Sequence, residues 1–238
     1  SIVLSYLMGL HFIVADTSRD PKYASTHLLY PLSQDILQSA MSILTLTVEG
    51  HLSVARRELR FLIEASIKIA AFQQQSYSSS LVEKLAEFDK NLKSPSIAIK
   101  KSIDLHFLSE KDRTALDEEI GILYGLTSKH VHLTPYQIEK SIEALKAGVT
   151  AGKERPEDIT ELNKLIERAM AISLVLLFHC VPSWVAGDWL VQQDGSSVSW
   201  LFMQSRFIAA LDAVFDYKAE RQERLVRIQE LRRSAIRF

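Results

Sequence analysis

The sequence predicts an all-α protein, an antiparallel bundle of about seven to nine helices. Three observations carry that expectation. Apolar residues recur at helical spacing along most of the 238 residues. Capping signals recur at the starts of these runs. Only 8 glycines and 6 prolines punctuate the chain, and no Asn-Gly or Asp-Gly turn is flanked by alternating strands.

The elements follow in order. SIVLSYLMGLHFIVA is apolar but lacks a basic leader and a small-residue cleavage site. It is also shorter than the about 20 apolar residues a membrane span needs. Pro31-Leu-Ser33 starts a pattern through about residue 49, and Gly50 marks a bend or a close helix contact. From His51 to about Gln74, Leu52, Ala55, Leu59, Leu62, Ile63, Ile67 and Ala70 share one helical face. Ser80-Leu-Val-Glu83 is a capping box, in which the hydroxyl accepts an orphan backbone N–H and the carboxylate reaches back. Residues 91–96 break the pattern. Ser109 starts a helix ending near LYGLTSKHVH, and Thr134-Pro-Tyr-Gln137 is a second capping box with proline at the first helical position. The polar segment 151–156 leads into a second long pattern, whose Glu157 and Asp158 suit a helix N-terminus. AISLVLLFHCVPSWVAGDWL (171–190) reads as a central buried helix, with a membrane or interfacial segment as the alternative. After a break at 192–197, a last helix is expected from about Val198 to the end. Neither an internal repeat nor a low-complexity tract interrupts the series.

Bulk properties fit one large domain or two small ones; the expectation is one all-α domain over 1–238, with long C-terminal helices at 156–238 packed on a core. The chain is long enough to bury about two-thirds of its unfolded surface without a disulfide or metal. A net charge of −1 argues against bulk attraction to nucleic acid, although a local basic patch is compatible with it. The single cysteine, Cys180, cannot pair internally. That fits a reducing, cytoplasmic setting. Its apolar neighbours predict a buried thiol rather than a reactive one.

Two polar constellations stand out. Arg57, Arg60 and Glu64 recur at i, i+3 and i+7, with Lys68 extending the stripe. This is either a solvated charged face or an inward one, with an Arg60–Glu64 pair beside a pocket for phosphate or carboxylate. Tyr124, Ser128 and His132 are spaced by four and line up on one helix face. His132 falls at the helix end, where free carbonyls favour imidazolium, and histidine is the usual general acid–base group. His130 points away from His132 in a helix and to the same side in an extended chain. An extended His-x-His would suit a metal, but no further ligands complete a set, so neither metal nor cofactor is expected. No GxSxG elbow, GxxxxGK[ST] loop or GxGxxG loop is present. From Lys218 onward seven basic residues face three glutamates, with Leu225, Ile228, Leu231 and Ile236 interleaved. The readings are an amphipathic helix docked on the bundle or on a twin subunit, or a nucleic-acid contact that would need those arginines on one open surface.

Gly50, Ala55, Arg56, Arg60 and Glu64 in one helix, followed by Tyr124, Ser128 and His132 in another, resemble the HEPN-like helical family of largely uncharacterised bacterial proteins. The resemblance covers about residues 31–150. It implies a helical bundle that dimerises and a nucleic-acid-related or defence-related role. In the family's nucleases, an arginine four to six residues before a histidine cuts RNA without metal. Here residues 125–128 are Gly, Leu, Thr and Ser, so that motif is not intact, and Lys129 is too near His132. A ribonuclease would need Arg57 or Arg60 as the substitute. The implied site is His132 for proton transfer, Arg60 on phosphate, Glu64 orienting it, and Ser128 and Tyr124 donating hydrogen bonds. Arg57, Arg60, Lys129 and His130 are the candidate RNA or phosphate contacts. The competing expectation is a non-catalytic interaction or dimerisation module with a buried polar network.

Overall fold

Local sequence chemistry accounts for several helix boundaries in the computed structural model, which describes residues 1–75, 77–91, 96–131, 134–150 and 154–238. The order is α1 (Ile2–Thr17), α2 (Tyr23–Thr26), α3 (Leu29–Val48), α4 (Leu52–Gln75), α5 (Leu81–Lys90), α6 (Ser96–Ile99) and α7 (Glu110–Ser128). Then come α8 (Pro135–Lys146), α9 (Pro156–Phe178), α10 (Ser183–Leu190), α11 (Arg206–Val214), α12 (Ala219–Gln222) and α13 (Leu225–Ala235). Short 3₁₀ turns stand at Lys100–Ser102, Leu201–Gln204 and Phe215–Tyr217. The fold is all-α: among the described residues no strand forms, and Val191 and Ser197 make one isolated antiparallel bridge.

The α3–α4 turn explains Gly50. Its φ is +78°, a left-handed value that favours glycine. Gly50 N–H donates to Thr47 O at 3.3 Å and His51 N–H to Leu46 O at 2.7 Å, which is the Schellman pattern that satisfies the last carbonyls of α3. The Ser80 capping box is complete, with Ser80 Oγ accepting from Glu83 N–H and Glu83 Oε2 accepting from Ser80 N–H. At α8 only the forward half forms: Thr134 Oγ1 accepts from Gln137 N–H at 3.2 Å, while Gln137 Oε1 has no partner.

One apolar cluster runs from Val3 to Phe215. Its axis is α4 and α9, which pack on each other; α3 and α7 also pack on α4, and α1 packs on α3 and α9. Every residue of α9 from Ala169 to Phe178 is buried, as expected of a helix surrounded by protein on all sides. α1 approaches closely through Gly9, where an added Cβ would lie 2.6 Å from the Trp200 ring. Trp200 Nε1–H donates to Ser5 O at 2.8 Å and pins the 198–205 segment to α1.

Three expectations need correction. Residues 171–190 are not one helix: α9 stops at Phe178, and α10 starts after Pro182, which cannot continue a helix. No helix among the described residues is long and apolar enough to cross a membrane. The chain after Val198 is likewise not one helix. Ser205 and Lys218 take extended backbone angles before α11 and α12, and Arg224, at φ −118° and ψ 7°, separates α12 from α13. These divisions raise the number of helices of seven or more residues to ten among the described residues, against the seven to nine expected.

Candidate functional site

α4 and α7 bring the two constellations together. Arg60 is nearly buried, its side chain 12% exposed. Its Nε donates to Glu64 Oε1 at 2.7 Å, and its Nη2 lies at 2.7 Å from the same oxygen. Nη1 donates to Tyr124 O at 2.9 Å and to Ser128 Oγ. Ser128 Oγ–H in turn donates to Tyr124 O, and the guanidinium stacks over the Tyr124 ring. One turn earlier, Arg57 Nε–H donates to His130 O at 2.6 Å. Both arginines therefore spend donors on the carbonyl end of α7, where a helix leaves acceptors unsatisfied and its dipole favours a cation. Burial raises the Tyr124 phenol above its ordinary pKa; the Arg60 charge opposes this and Glu64 adds to it.

The stripe is thus inward-facing at Arg60 and solvated at Arg57, which is exposed. Arg60, Glu64, Tyr124 and Ser128 form one network. His132 lies outside the described residues. Lys129 and His130 lie on the other side of the α7 end, against Tyr136: Lys129 Nζ is 5.1 Å from that ring's centre, and the His130 ring meets it edge-on at 6.2 Å. Burial, reinforced by the charges of Arg56, Arg57 and Lys129, pushes the His130 imidazole down to about 4. It is neutral at pH 7, unlike a general acid poised near the working pH. Among the described residues no group of three or more His, Cys, Asp or Glu is placed to hold a metal.

Cys180 is 1% exposed, and burial pushes its thiol up to about 12, so it is not a poised nucleophile. The C-terminal arginines do not form one open basic surface. Arg221 is fully buried and Arg232 nearly so. Both bind Asp212, Arg221 at 2.5 Å and Arg232 at 2.7 Å, and both bind Asp216, at 3.1 and 2.6 Å. Sequence reasoning missed the acids of this cluster. The signal was available: Asp212 and Asp216 are four apart within the apolar run FIAALDAVFDY, and an acid inside an apolar face needs a cationic partner.

No protein-family model, curated protein or solved structure matches this chain.

Proposed function

We propose that this chain is a HEPN-like antiparallel helical module that works by binding, not by cleavage, in a nucleic-acid-related or defence-related role and as a homodimer. In this reading Arg60, Glu64, Tyr124 and Ser128 are a register lock between α4 and α7. The observation that supports it is the state of Arg60. Its Nε donates to Glu64, its Nη1 donates to Tyr124 O and Ser128 Oγ at the end of α7, its Nη2 lies against the same Glu64 oxygen, and one face lies on Tyr124. A phosphate at Arg60 would have to displace Glu64 or pull the guanidinium off the Tyr124 carbonyl and the Ser128 hydroxyl. Arg57, the other candidate substitute, is also engaged, on His130 O.

The test is incubation of the intact chain with single-stranded RNA in EDTA, alongside His132→Ala and Arg60→Lys. Intact RNA in every sample is expected. Cleavage by the wild-type chain that is lost in His132→Ala, with the variant still folded, rejects the reading in favour of a ribonuclease. Light scattering tests the dimer: a mass near 54 kDa, twice the 27.0 kDa chain, is expected, and a single-chain mass rejects it.

A further inference from the structure

Cations from three helices meet beside the α7–α8 junction. A hollow of about 160 Å³ there is lined by Arg56 of α4, Lys129 and His130 at the end of α7, Tyr136 of α8, and Lys164 and Arg168 of α9. Arg168 is held by Glu119 at 2.5 Å. Arg56, Lys129 and Lys164 make no ion pair among the described residues. Glu161 is the one carboxylate in the lining. Like charges gathered around a partly enclosed space repel one another, and an anion between them relieves that repulsion.

His130 also lines this space, and its Nδ1 is buried without a hydrogen-bond partner, whereas buried polar atoms in proteins are almost always paired. The hollow's size narrows the ligand. Whole small-molecule pockets span about 300–1,000 Å³, so 160 Å³ suits a single group rather than a complete ligand. A neighbouring hollow of about 550 Å³ shares Arg56, His130, Tyr136 and Glu161 and offers room for the remainder. There Lys140 is paired with Glu143 and Arg155 with Asp158, which leaves the cationic excess in the smaller space.

We infer that the smaller hollow binds the phosphate group of an organic phosphate, either a phosphomonoester or a phosphodiester of an RNA strand, with the rest of the molecule in the larger hollow. Arg56 and Lys164 donate to the phosphate oxygens, Lys129 supplies charge, and His130 forms part of the wall. The inference rests on the binding-not-cleaving reading and gives it a ligand chemistry and a place.

Calorimetric titration of the intact chain at low salt tests it, with adenosine 5′-monophosphate, adenosine, and a short single-stranded RNA with and without a 5′-phosphate. Saturable binding of the monophosphate or of RNA, but not of adenosine, is expected, with at least tenfold weaker binding in Arg56→Gln/Lys164→Gln. RNA that needs its 5′-phosphate identifies a monoester site, and RNA that binds without one identifies a backbone site. Lys164→Glu, at an exposed position, repeats the comparison if the double variant loses its circular dichroism. No binding of any phosphate-bearing probe, or equal affinity in the variants, overturns the inference. The same RNA run on a denaturing gel separates the two claims: cut RNA rejects the reading above, while lost binding with intact RNA rejects only this one.

Discussion

Arg60 Nη1 donates to the carbonyl oxygen of Tyr124 at 2.9 Å, across the α4–α7 interface. A side chain on one helix thereby closes the C-terminal end of another. The same guanidinium is oriented by Glu64 four residues along its own helix. A backbone acceptor cannot be shifted by one residue without losing this contact, so the network sets how far α7 advances along α4.

Arg60→Ala should therefore lower stability by about 1–3 kcal/mol, the range for leaving partly buried acceptors without a charged donor. Arg60→Lys should recover only part of that loss, because an ammonium cannot reproduce the planar fork that serves Glu64 and Tyr124 together. Urea midpoints at constant m-value measure both. Equal stability of wild type and Arg60→Ala would show that the network is dispensable.

Asp212 should be the costlier residue. It is fully buried and neutralises Arg221, also fully buried, together with Arg232. Asp212→Asn leaves two buried guanidinium groups short of charge, a situation that typically costs about 3–5 kcal/mol. Asp216, whose side chain is 18% exposed, can be compensated by water, so Asp216→Asn should cost clearly less. Denaturant unfolding of the two variants decides it, and an Asp216→Asn loss equal to or larger than that of Asp212→Asn contradicts the ranking.

What the sequence revealed follows from which partner each residue has. The α4 face was legible because Leu59, Leu62, Ile63 and Ile67 repeat at the helical period, and all are buried. The alignment of Tyr124 with Ser128 was legible for the same reason. That Arg60 would bind the α7 end was not, since its acceptors include a backbone carbonyl, which every residue carries. Lys164 and Arg168 lie four residues apart on α9, a spacing that names no partner on another helix. Only the packing of α9 against α4 and α7 places them beside Arg56. The division of the C-terminal segment was hidden because its breaks, at Ser205, Lys218 and Arg224, carry neither glycine nor proline.

Acid should destabilise the fold through histidines held neutral. His27 Nδ1 accepts from Leu29 N–H, so its Nε2–H donates to Cys180 O at 3.0 Å. His179 Nε2 accepts from Phe107 N–H, and its Nδ1–H donates to Val175 O at 2.7 Å. Burial pushes both down to about 4, from about 6.5 in an unfolded chain. Between those values the unfolded chain binds more protons, so the contribution is complete above pH 6.5 and is lost as pH falls toward 4. Each histidine adds a slope of up to about 1.4 kcal/mol per pH unit in that window. Urea midpoints measured from pH 7 to pH 4 should fall, and His179→Gln should flatten the decline. A flat profile across that window would mean that the histidines titrate alike in both states.

The last prediction concerns the three hydroxyls that join α1, α4 and α9. Ser66 Oγ–H donates to Leu62 O at 2.8 Å, so its contact with Ser173 Oγ at 2.7 Å must be one in which Ser66 accepts. Ser173 thus donates to Ser66, and its contact with Tyr6 Oη at 2.9 Å is one in which Tyr6 donates. The proton order is fixed: Tyr6 to Ser173 to Ser66 to the Leu62 carbonyl. All three residues are fully buried, so no water replaces a lost partner. Ser173→Ala strands the Tyr6 hydroxyl and should cost about 1–3 kcal/mol. Adding Tyr6→Phe removes the stranded group, so Tyr6→Phe/Ser173→Ala should be less destabilised than the sum of the single variants, by about 0.5–3 kcal/mol of coupling. A double-mutant cycle in urea reads this directly. Strict additivity would mean that Tyr6 and Ser173 do not share a hydrogen bond in solution.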